Sequence, residues 1–209
     1  MHTIMLANPK GGSGKSTLAI HLASWFAQRD GIVCLGDLDR QQSSAQWLKR
    51  RPDALPRIRH WPSEDGMPGS APRECNVGIL DTPAGLHGKP LRQLLREADR
   101  VVVPVAPSRF DLAASRDFFD ELAETKAVRK DKVSVAIVGM RVDPRTSATQ
   151  QMIEFLAQFD LPLVTCIRSA QRYVQAVETG ETLFDLKAAA VQSDLKQWQA
   201  LLEWLVKRR

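Results

Sequence analysis

Glycines and lysines near the start of the chain are spaced as a phosphate-binding loop requires. Residues 8–17 read Asn-Pro-Lys-Gly-Gly-Ser-Gly-Lys-Ser-Thr and follow a short apolar segment. Glycine lets the backbone approach phosphate oxygens and direct its N–H groups at them, and the positive end of a following helix adds to the attraction. Lys15 can reach the β- and γ-phosphates of a nucleotide, and the Ser16 hydroxyl can bind Mg²⁺. The predicted nucleotide-binding residues are Lys10, Gly11, Gly12, Ser13, Gly14, Lys15, Ser16 and Thr17.

This loop departs from the usual P-loop pattern at one position. The pattern is a glycine, then any four residues, then Gly-Lys-Ser/Thr, and here the position of the first glycine is occupied by Pro9. A plain glycine-rich turn between a strand and a helix is the alternative interpretation. Residues 10–17 match a phosphate loop at most positions and lie between an apolar strand and an amphipathic helix, which favours phosphate binding. The predicted cofactors are ATP and Mg²⁺.

Two carboxylates follow the second apolar segment of the chain. Asp37 and Asp39 lie two residues apart, so an extended backbone places them on the same side. Beside a nucleotide they can hold the waters of Mg²⁺ and orient an attacking water. We predict that Asp39 is the catalytic acid that orients this water and that Asp37 supports the metal through water. Capping of the following helix is the alternative role for both.

The elements that position these residues alternate regularly between apolar runs and helical patterns. Near-continuous Val/Ile/Leu runs are typical of parallel strands that are buried on both faces. The order predicts an α/β fold, a doubly wound and mostly parallel sheet with helices on both faces, whose ligand lies at the carboxyl ends of the strands. The predicted strands are Thr3–Ala7, Ile32–Gly36, Val77–Leu80, Arg100–Val105, Val133–Val138 and Leu163–Cys166. The predicted helices are Lys15–Gln28, Gln42–Arg50, Lys89–Glu97, Leu112–Lys126, Ala148–Gln158 and Tyr173–Glu178.

Two segments stand apart from this alternation, although we predict one domain over residues 1–209. Residues 51–73 are rich in proline and glycine, which predicts an edge strand near Arg57–Trp61 followed by a surface loop. Residues 188–209 carry apolar side chains at helical spacing, which predicts a terminal helix. That helix either packs on the sheet or lies on a membrane surface.

Composition limits the function classes. Hydrophobic residues make up 44% of the 209 residues, and no apolar run approaches the length of a membrane span. The first residues lack the charged segment and cleavage site of a signal peptide, and three scattered cysteines suit a reducing compartment, so we expect a cytoplasmic location. The net charge of +5 suits a polyanionic partner, either nucleic acid or anionic lipid.

The phosphate loop resembles the deviant Walker A motif of the ParA/MinD superfamily of ATPases, and the compact chain is most similar to ParF-like partition proteins. The resemblance implies that Lys10 reaches across an ATP-bound homodimer to the partner's nucleotide. Asp37-Leu38-Asp39-Arg40-Gln41 resembles the second signature of ParA-type proteins, with Arg40 where proline often stands. Asp81 ends a strand that resembles Walker B, which implies that it binds the Mg²⁺ shell through water. The following residues, 84–88, resemble a switch that senses the γ-phosphate.

Resemblance is weaker beyond Asp81. Residues 101–112 are similar to the family's strand-to-helix turn with two prolines. Near the adenine the family often has Asn-Arg, and here Met140 replaces the asparagine. Arg141 therefore either binds the cofactor at its base or is a surface arginine at the end of a strand.

The family's behaviour implies a slow, partner-stimulated ATP hydrolase that dimerises with ATP and coats a surface. In ParA-type members the surface is nonspecific DNA, a small ParB-like adaptor stimulates hydrolysis, and a plasmid, chromosome or large protein complex is positioned. Arg168 and Arg172 match the basic stretch that such proteins use for DNA, although both can equally be solvated helix surface. The chain would then be associated with the nucleoid.

Two other functions stay open. A MinD-like ATPase would bind membrane through Leu201–Arg209, but Glu203 and the lack of a linker before this segment argue against it. A metabolic or cofactor-maturation enzyme with the same loop would need a substrate site or a cysteine pair at a dimer seam. None of the three cysteines lies in such a pattern.

Overall fold

The structure, a computed structural model, describes residues 1–207, except for the side chains of residues 109–114. The strands are β1 (His2–Leu6), β2 (Val33–Asp37), β3 (Ile58–Trp61), β4 (Ser63–Glu64), β5 (Met67–Pro68), β6 (Val77–Asp81), β7 (Arg100–Val105), β8 (Ser134–Met140) and β9 (Leu163–Ile167). The helices are α1 (Lys15–Ala27), α2 (Ser43–Arg50), α3 (Gly88–Glu97), α4 (Arg109–Glu124), α5 (Lys126–Arg129), α6 (Ser147–Leu156), α7 (Gln171–Glu178) and α8 (Ala188–Val206).

Within the described residues, seven strands form one sheet in the order β3-β2-β6-β1-β7-β8-β9. Every neighbouring pair in it is parallel. The predicted fold class is confirmed, and the predicted strands and helices agree with the observed ones to within a few residues. Because β2, β6 and β1 lie side by side, the segments that follow their carboxyl ends meet at one edge of the sheet.

Helices cover both faces of the sheet and form two hydrophobic clusters. One cluster joins α1, α2, α7 and α8 to one face, with Trp47 and Trp198 among its fully buried side chains. The other joins α3, α4 and α6 to the opposite face, around Leu94 and Phe119. The inner strands β2, β6 and β7 are buried on both faces along their whole length, which explains their apolar runs, whereas the edge strands β3 and β9 are partly exposed.

The terminal helix α8 packs its apolar side on the sheet. Its buried side chains include Val191, Trp198, Leu201 and Leu205. Trp198 also stacks on His21 of α1 and donates a hydrogen bond of 2.8 Å to the Tyr173 hydroxyl of α7. The sequence left two roles open for this helix, and its apolar face is used in the core.

The helices of the structure bear on whether the chain could cross a membrane. None of the helices in residues 1–207 combines the length and the apolar character that crossing a bilayer requires. Arg208 and Arg209, which complete the basic end of the membrane-anchor hypothesis, lie outside the described residues.

The proline- and glycine-rich segment contains more structure than a loop. The predicted edge strand is present as β3, and a short antiparallel hairpin, β4–β5, follows it. Asp65 and Gly66 form its tip, with φ angles of 50° and 73°. An Asp-Gly pair is a strong signal for such a two-residue turn, so the sequence contained this information.

Candidate nucleotide-binding site

The loop between β1 and α1 has a conformation that depends on its glycines. Gly12 and Gly14 have φ angles of 71° and 104°, which other residues rarely adopt. A Cβ on Gly14 would also lie 3.0 Å from the end of the Met140 side chain, which would have to shift by a few tenths of an ångström. Asn8 fixes the base of the loop, because its Nδ2 donates to the Pro104 carbonyl at 2.6 Å while its Oδ1 accepts the Lys10 amide at 2.7 Å.

Lys15 lies inside this loop and is only 6% exposed. Its Nζ donates to the carbonyl oxygens of Asn8 at 3.3 Å and Lys10 at 3.1 Å. Burial lowers the pKa of Lys15, and the carboxylates of Asp81 and Asp39 act in the opposite direction. The ammonium group is therefore held in place by neutral carbonyls, in a position where an anion would gain a strong partner.

Asp81 lies beside Asp37 in the β2–β6 register, at the carboxyl ends of neighbouring strands. It is 1% exposed, and neither of its oxygens has a hydrogen-bond partner among the described residues. Burial raises the pKa of Asp81 to about 7, although the nearby Ser16 hydroxyl favours the ionised form. A buried, unpaired carboxylate next to a hydroxyl suits a hydrated Mg²⁺ that also binds phosphate oxygens. These residues therefore fit the predicted metal.

The raised pKa of Asp81 predicts a pH-dependent gain in stability from Asp81→Asn in the nucleotide-free protein. The folded pKa of about 7 exceeds the ordinary 3.8, so folding is penalised progressively as pH rises between these values. Asparagine removes that penalty, but it still buries a polar amide. We therefore expect the free energy of unfolding to increase by only ~1–2 kcal/mol above about pH 7, which is roughly 3–6 °C in Tm. The gain should shrink towards about pH 5.

Thermal unfolding across that pH range measures the effect. Asp53 is exposed, and Asp53→Asn is the matched control, with no pH-dependent difference expected. A constant offset between Asp81→Asn and the unmodified protein at all pH values would contradict the assignment of a neutral carboxyl at low pH.

Asp37 and Asp39, predicted together, have different surroundings. Asp37 is 2% exposed. Its Oδ2 accepts the Ser44 hydroxyl at 2.8 Å and the Ala45 amide at 2.9 Å, and its Oδ1 accepts the Asp39 amide at 3.0 Å. Asp37 therefore holds the first turn of α2. Asp39 is half-buried, accepts the Gln41 amide at 3.0 Å and lines the cavity over the phosphate loop.

That cavity has a volume of about 1340 Å³. The phosphate loop, the β2–α2 turn and the residues after Asp81 line one part, and Met140, Tyr173 and Val174 line another. The β4–β5 hairpin adds Ser63 and Met67 to the wall. The volume and the apolar end suit a nucleotide, with the phosphates on the loop and the base against the side chains around Tyr173.

Arg141 lies at the border between these two parts. Its guanidinium donates to the carbonyl of Gly12, and its backbone has a φ of 55°, in the left-handed region that disfavours branched and bulky residues. The side chain is exposed and lines the cavity. Arg141 is thus positioned at the phosphate loop, and contact with a base stays a prediction.

The two arginines predicted to bind DNA are not equivalent. The Nε of Arg168 donates at 2.8 Å to Asp194, which is fully buried, and Arg168 also lines the nucleotide cavity. Arg172 is exposed on α7 and has no ion pair among the described residues. Arg168 therefore ties β9 to α8, whereas Arg172 is available to a partner.

Sequence reasoning missed several residues that shape the site. Asn8 and Thr82 connect the loops to neighbouring strands, Thr82 by a hydrogen bond of 2.8 Å to the Leu6 carbonyl. Glu121 of α4 accepts the amide of Gly88, the last residue of the predicted switch, and so holds the start of α3. Only Asn8, next to the loop, gave a signal in the sequence. Of the predicted strand-to-helix turn at residues 101–112, the side chains of residues 109–112 lie outside the described part of the structure.

Comparison with known proteins also indicates a nucleotide-binding domain. Residues 4–183 match the family described as the CobQ/CobB/MinD/ParA nucleotide binding domain. The chain is 30% identical over 192 residues to the maintenance of carboxysome distribution protein A of Halothiobacillus neapolitanus, which covers 89% of this chain and 88% of that protein.

Solved structures share the fold at lower identity. An ATP complex of a Cyanothece McdA variant superposes with a TM-score of 0.72 at 17% identity, covering 100% of this chain and 98% of that one. MinD in the MinC:MinD complex of Aquifex aeolicus gives 0.70 at 13% identity, covering 98% and 94%. With the family match and the phosphate loop, the chain belongs to the CobQ/CobB/MinD/ParA nucleotide-binding family and is a P-loop ATPase of the ParA/MinD superfamily.

Proposed function

We propose that this protein is a Mg-ATP-dependent, dimerising ATPase that binds nonspecific DNA in its ATP state and positions cargo with the help of a ParB-like adaptor. The observation that carries the proposal is that the two loop lysines, Lys10 and Lys15, lie in different positions. Lys15 lines the cavity of its own chain, whereas Lys10 lies at the loop's entrance and does not line it. This arrangement supports a role for Lys10 on the nucleotide of a partner copy.

The site residues have separable tasks in hydrolysis. Residues 11–17, with Lys15 among them, would bind the phosphates. Ser16 and, through water, Asp81 would hold Mg²⁺, while Asp37 fixes the turn beside them. Bound there, Mg²⁺ supplies neutralisation of charge on the phosphate oxygens. Asp39 orients the attacking water, because it lines the cavity and is the less constrained of the two acids after β2. Arg141 flanks the nucleotide from β8.

The cargo and the surface follow from different observations. The name of the Halothiobacillus relative refers to the distribution of carboxysomes, which supports a large protein assembly as the cargo class. The net charge of +5 and exposed Arg172 support DNA as the surface. Against a MinD-like membrane ATPase, the apolar face of α8 is buried on the sheet. We therefore place the protein on the nucleoid in the cytoplasm.

Binding to random-sequence duplex DNA and to anionic vesicles, with ATP or ADP, tests the proposal. We expect DNA capture with ATP only, and a loss on the order of 10- to 100-fold between about 50 and 200 mM salt, because phosphate contacts release counterions. Lys10→Ala should abolish both the ATP dimer and DNA capture, while a single chain still binds ATP.

Lys49 is exposed at the last turn of α2, away from the loop, and Lys49→Ala is the matched control for Lys10→Ala, with dimer formation and DNA capture unchanged. Vesicle capture without DNA capture would favour the membrane function. A Lys10→Ala protein that dimerises normally would remove the role assigned to that residue.

A further inference from the structure

A second basic surface lies away from the nucleotide cavity, in a groove of about 540 Å³ between α3 and the α4–α5 corner. Arg92 and Arg96 line one side, and Lys126 and Lys130 line the other. All four side chains are at least partly exposed. Arg96, Lys126 and Lys130 form no ion pair with any residue in the described part of the chain. Their charges therefore attract an anionic partner without first breaking an internal salt bridge.

Two carboxylates, Glu121 and Glu124, also line the groove and reduce its positive charge. Glu121 is occupied, since its oxygens accept the Gly88 amide at 2.9 and 3.1 Å and Arg92 lies 3.5 Å away. Glu124 is exposed and opposes an incoming anion. The cations outnumber the carboxylates, so the groove has a net positive charge.

The rest of the lining indicates which kind of anion fits. Thr125 and Ala127 are the uncharged side chains among the described residues that line the groove. Its described lining contains no aromatic ring for stacking an unpaired base and no large apolar side chain that would form a pocket for a peptide anchor. Flexible, exposed lysines and arginines suit the repeating phosphates of a duplex, which need charge and no particular shape.

The groove is also placed where a dimer leaves it open. Arg96 precedes the amino end of β7, and Lys130 precedes the amino end of β8. The nucleotide lies at the carboxyl ends of the strands, so an ATP dimer that meets through the nucleotide faces leaves the opposite edge in solvent.

We propose that this α3–α5 groove, through Arg96, Lys126 and Lys130, binds phosphates of duplex DNA in addition to the basic stretch at Arg172. The inference rests on the proposed DNA-binding function and adds the residues that carry it. Because the interaction is electrostatic, removing these charges should change both the affinity and its dependence on salt.

The test is DNA binding by the triple variant Arg96→Ala, Lys126→Ala, Lys130→Ala in the ATP state. The affinity for random duplex DNA should fall roughly 10- to 100-fold at about 0.1 M salt, and the log–log salt slope should decrease by about 0.9 for each phosphate that the variant no longer neutralises. ATP-dependent dimerisation should be unchanged. Glu124→Gln should tighten binding, because it removes a repulsive charge.

A charge-matched control separates position from net charge. Lys49, Arg57 and Arg73 lie at the surface on the side of β2 and β3, and their triple alanine variant should bind DNA almost as the unmodified protein does. Equal losses in the two triple variants would overturn the groove assignment. The groove assignment would also be wrong if the Arg96, Lys126 and Lys130 triple variant lost binding to anionic vesicles but bound DNA normally. The ligand of the groove would then be a membrane surface. If the unmodified protein captures no DNA at all, the proposed DNA-binding function is wrong, and the groove assignment is wrong with it.

Discussion

Replacing Lys15 with methionine is expected to weaken MgATP binding by at least ~100-fold, about 2.7 kcal/mol. The ammonium group of Lys15 is the buried positive charge of the phosphate loop, and the carbonyls of Asn8 and Lys10 hold it in place. Charge-assisted hydrogen bonds to phosphate contribute more than neutral ones, particularly in a site that excludes water. Methionine keeps most of the side-chain volume, so the loop should retain its packing.

Isothermal titration with MgATP measures this loss, and circular dichroism checks the fold. Lys49→Met, on the outer side of α2, is the matched control, with no change expected in the dissociation constant. A Lys15→Met protein that binds within about threefold of the unmodified chain would show that the triphosphate lies elsewhere. The whole functional proposal would then lose its basis.

Replacing Asp39 with asparagine is expected to reduce ATP turnover by roughly 10²- to 10⁴-fold, the usual effect of removing a positioned acid or base. MgATP affinity should stay within about threefold, since the Asp39 carboxylate accepts the Gln41 amide, which lies outside the phosphate loop. The cost in stability should be small, because the side chain is half-buried and an asparagine oxygen can still accept that amide.

Asp37→Asn is the informative comparison, because the structure gives its carboxylate a different task. Its oxygens accept two hydrogen bonds from the first turn of α2 and one from the Asp39 amide in the turn before it. We expect a loss of ~1–2 kcal/mol in the free energy of unfolding, as for a removed helix cap. Turnover per folded molecule at saturating MgATP should exceed that of Asp39→Asn. The assignment of Asp39 would be wrong if its asparagine variant hydrolysed ATP at the unmodified rate.

The secondary structure and the phosphate loop were predictable because their signals are local. Strands buried on both faces read as continuous apolar runs, and β1, β6 and β7 were found in this way. The glycines of residues 11–14 and the lysine after them are close in the sequence, so their chemistry needed no tertiary information. The Asp-Gly tip of the β4–β5 hairpin was also a local signal, although the prediction did not use it.

What the sequence left open depended on pairings between distant segments. Asp37 and Asp39 looked alike as neighbouring acids, and only the approach of α2, with Ser44 and Ala45, made Asp37 a cap. Arg168 looked like a DNA contact until α8 placed a buried Asp194 beside it. In the same way, the packing of α3 against the α4–α5 corner brought Arg96 and Lys130, which are far apart in the sequence, to one groove.

The amino-acid sequence by itself determined that the chain has a phosphate loop between a strand and a helix, because backbone freedom and charge are set by residue type. The tertiary structure alone decided which acid caps a helix, which arginine is available to a partner and what the apolar face of α8 packs against. Those outcomes depend on contacts between segments that are far apart in the chain, which no local pattern encodes.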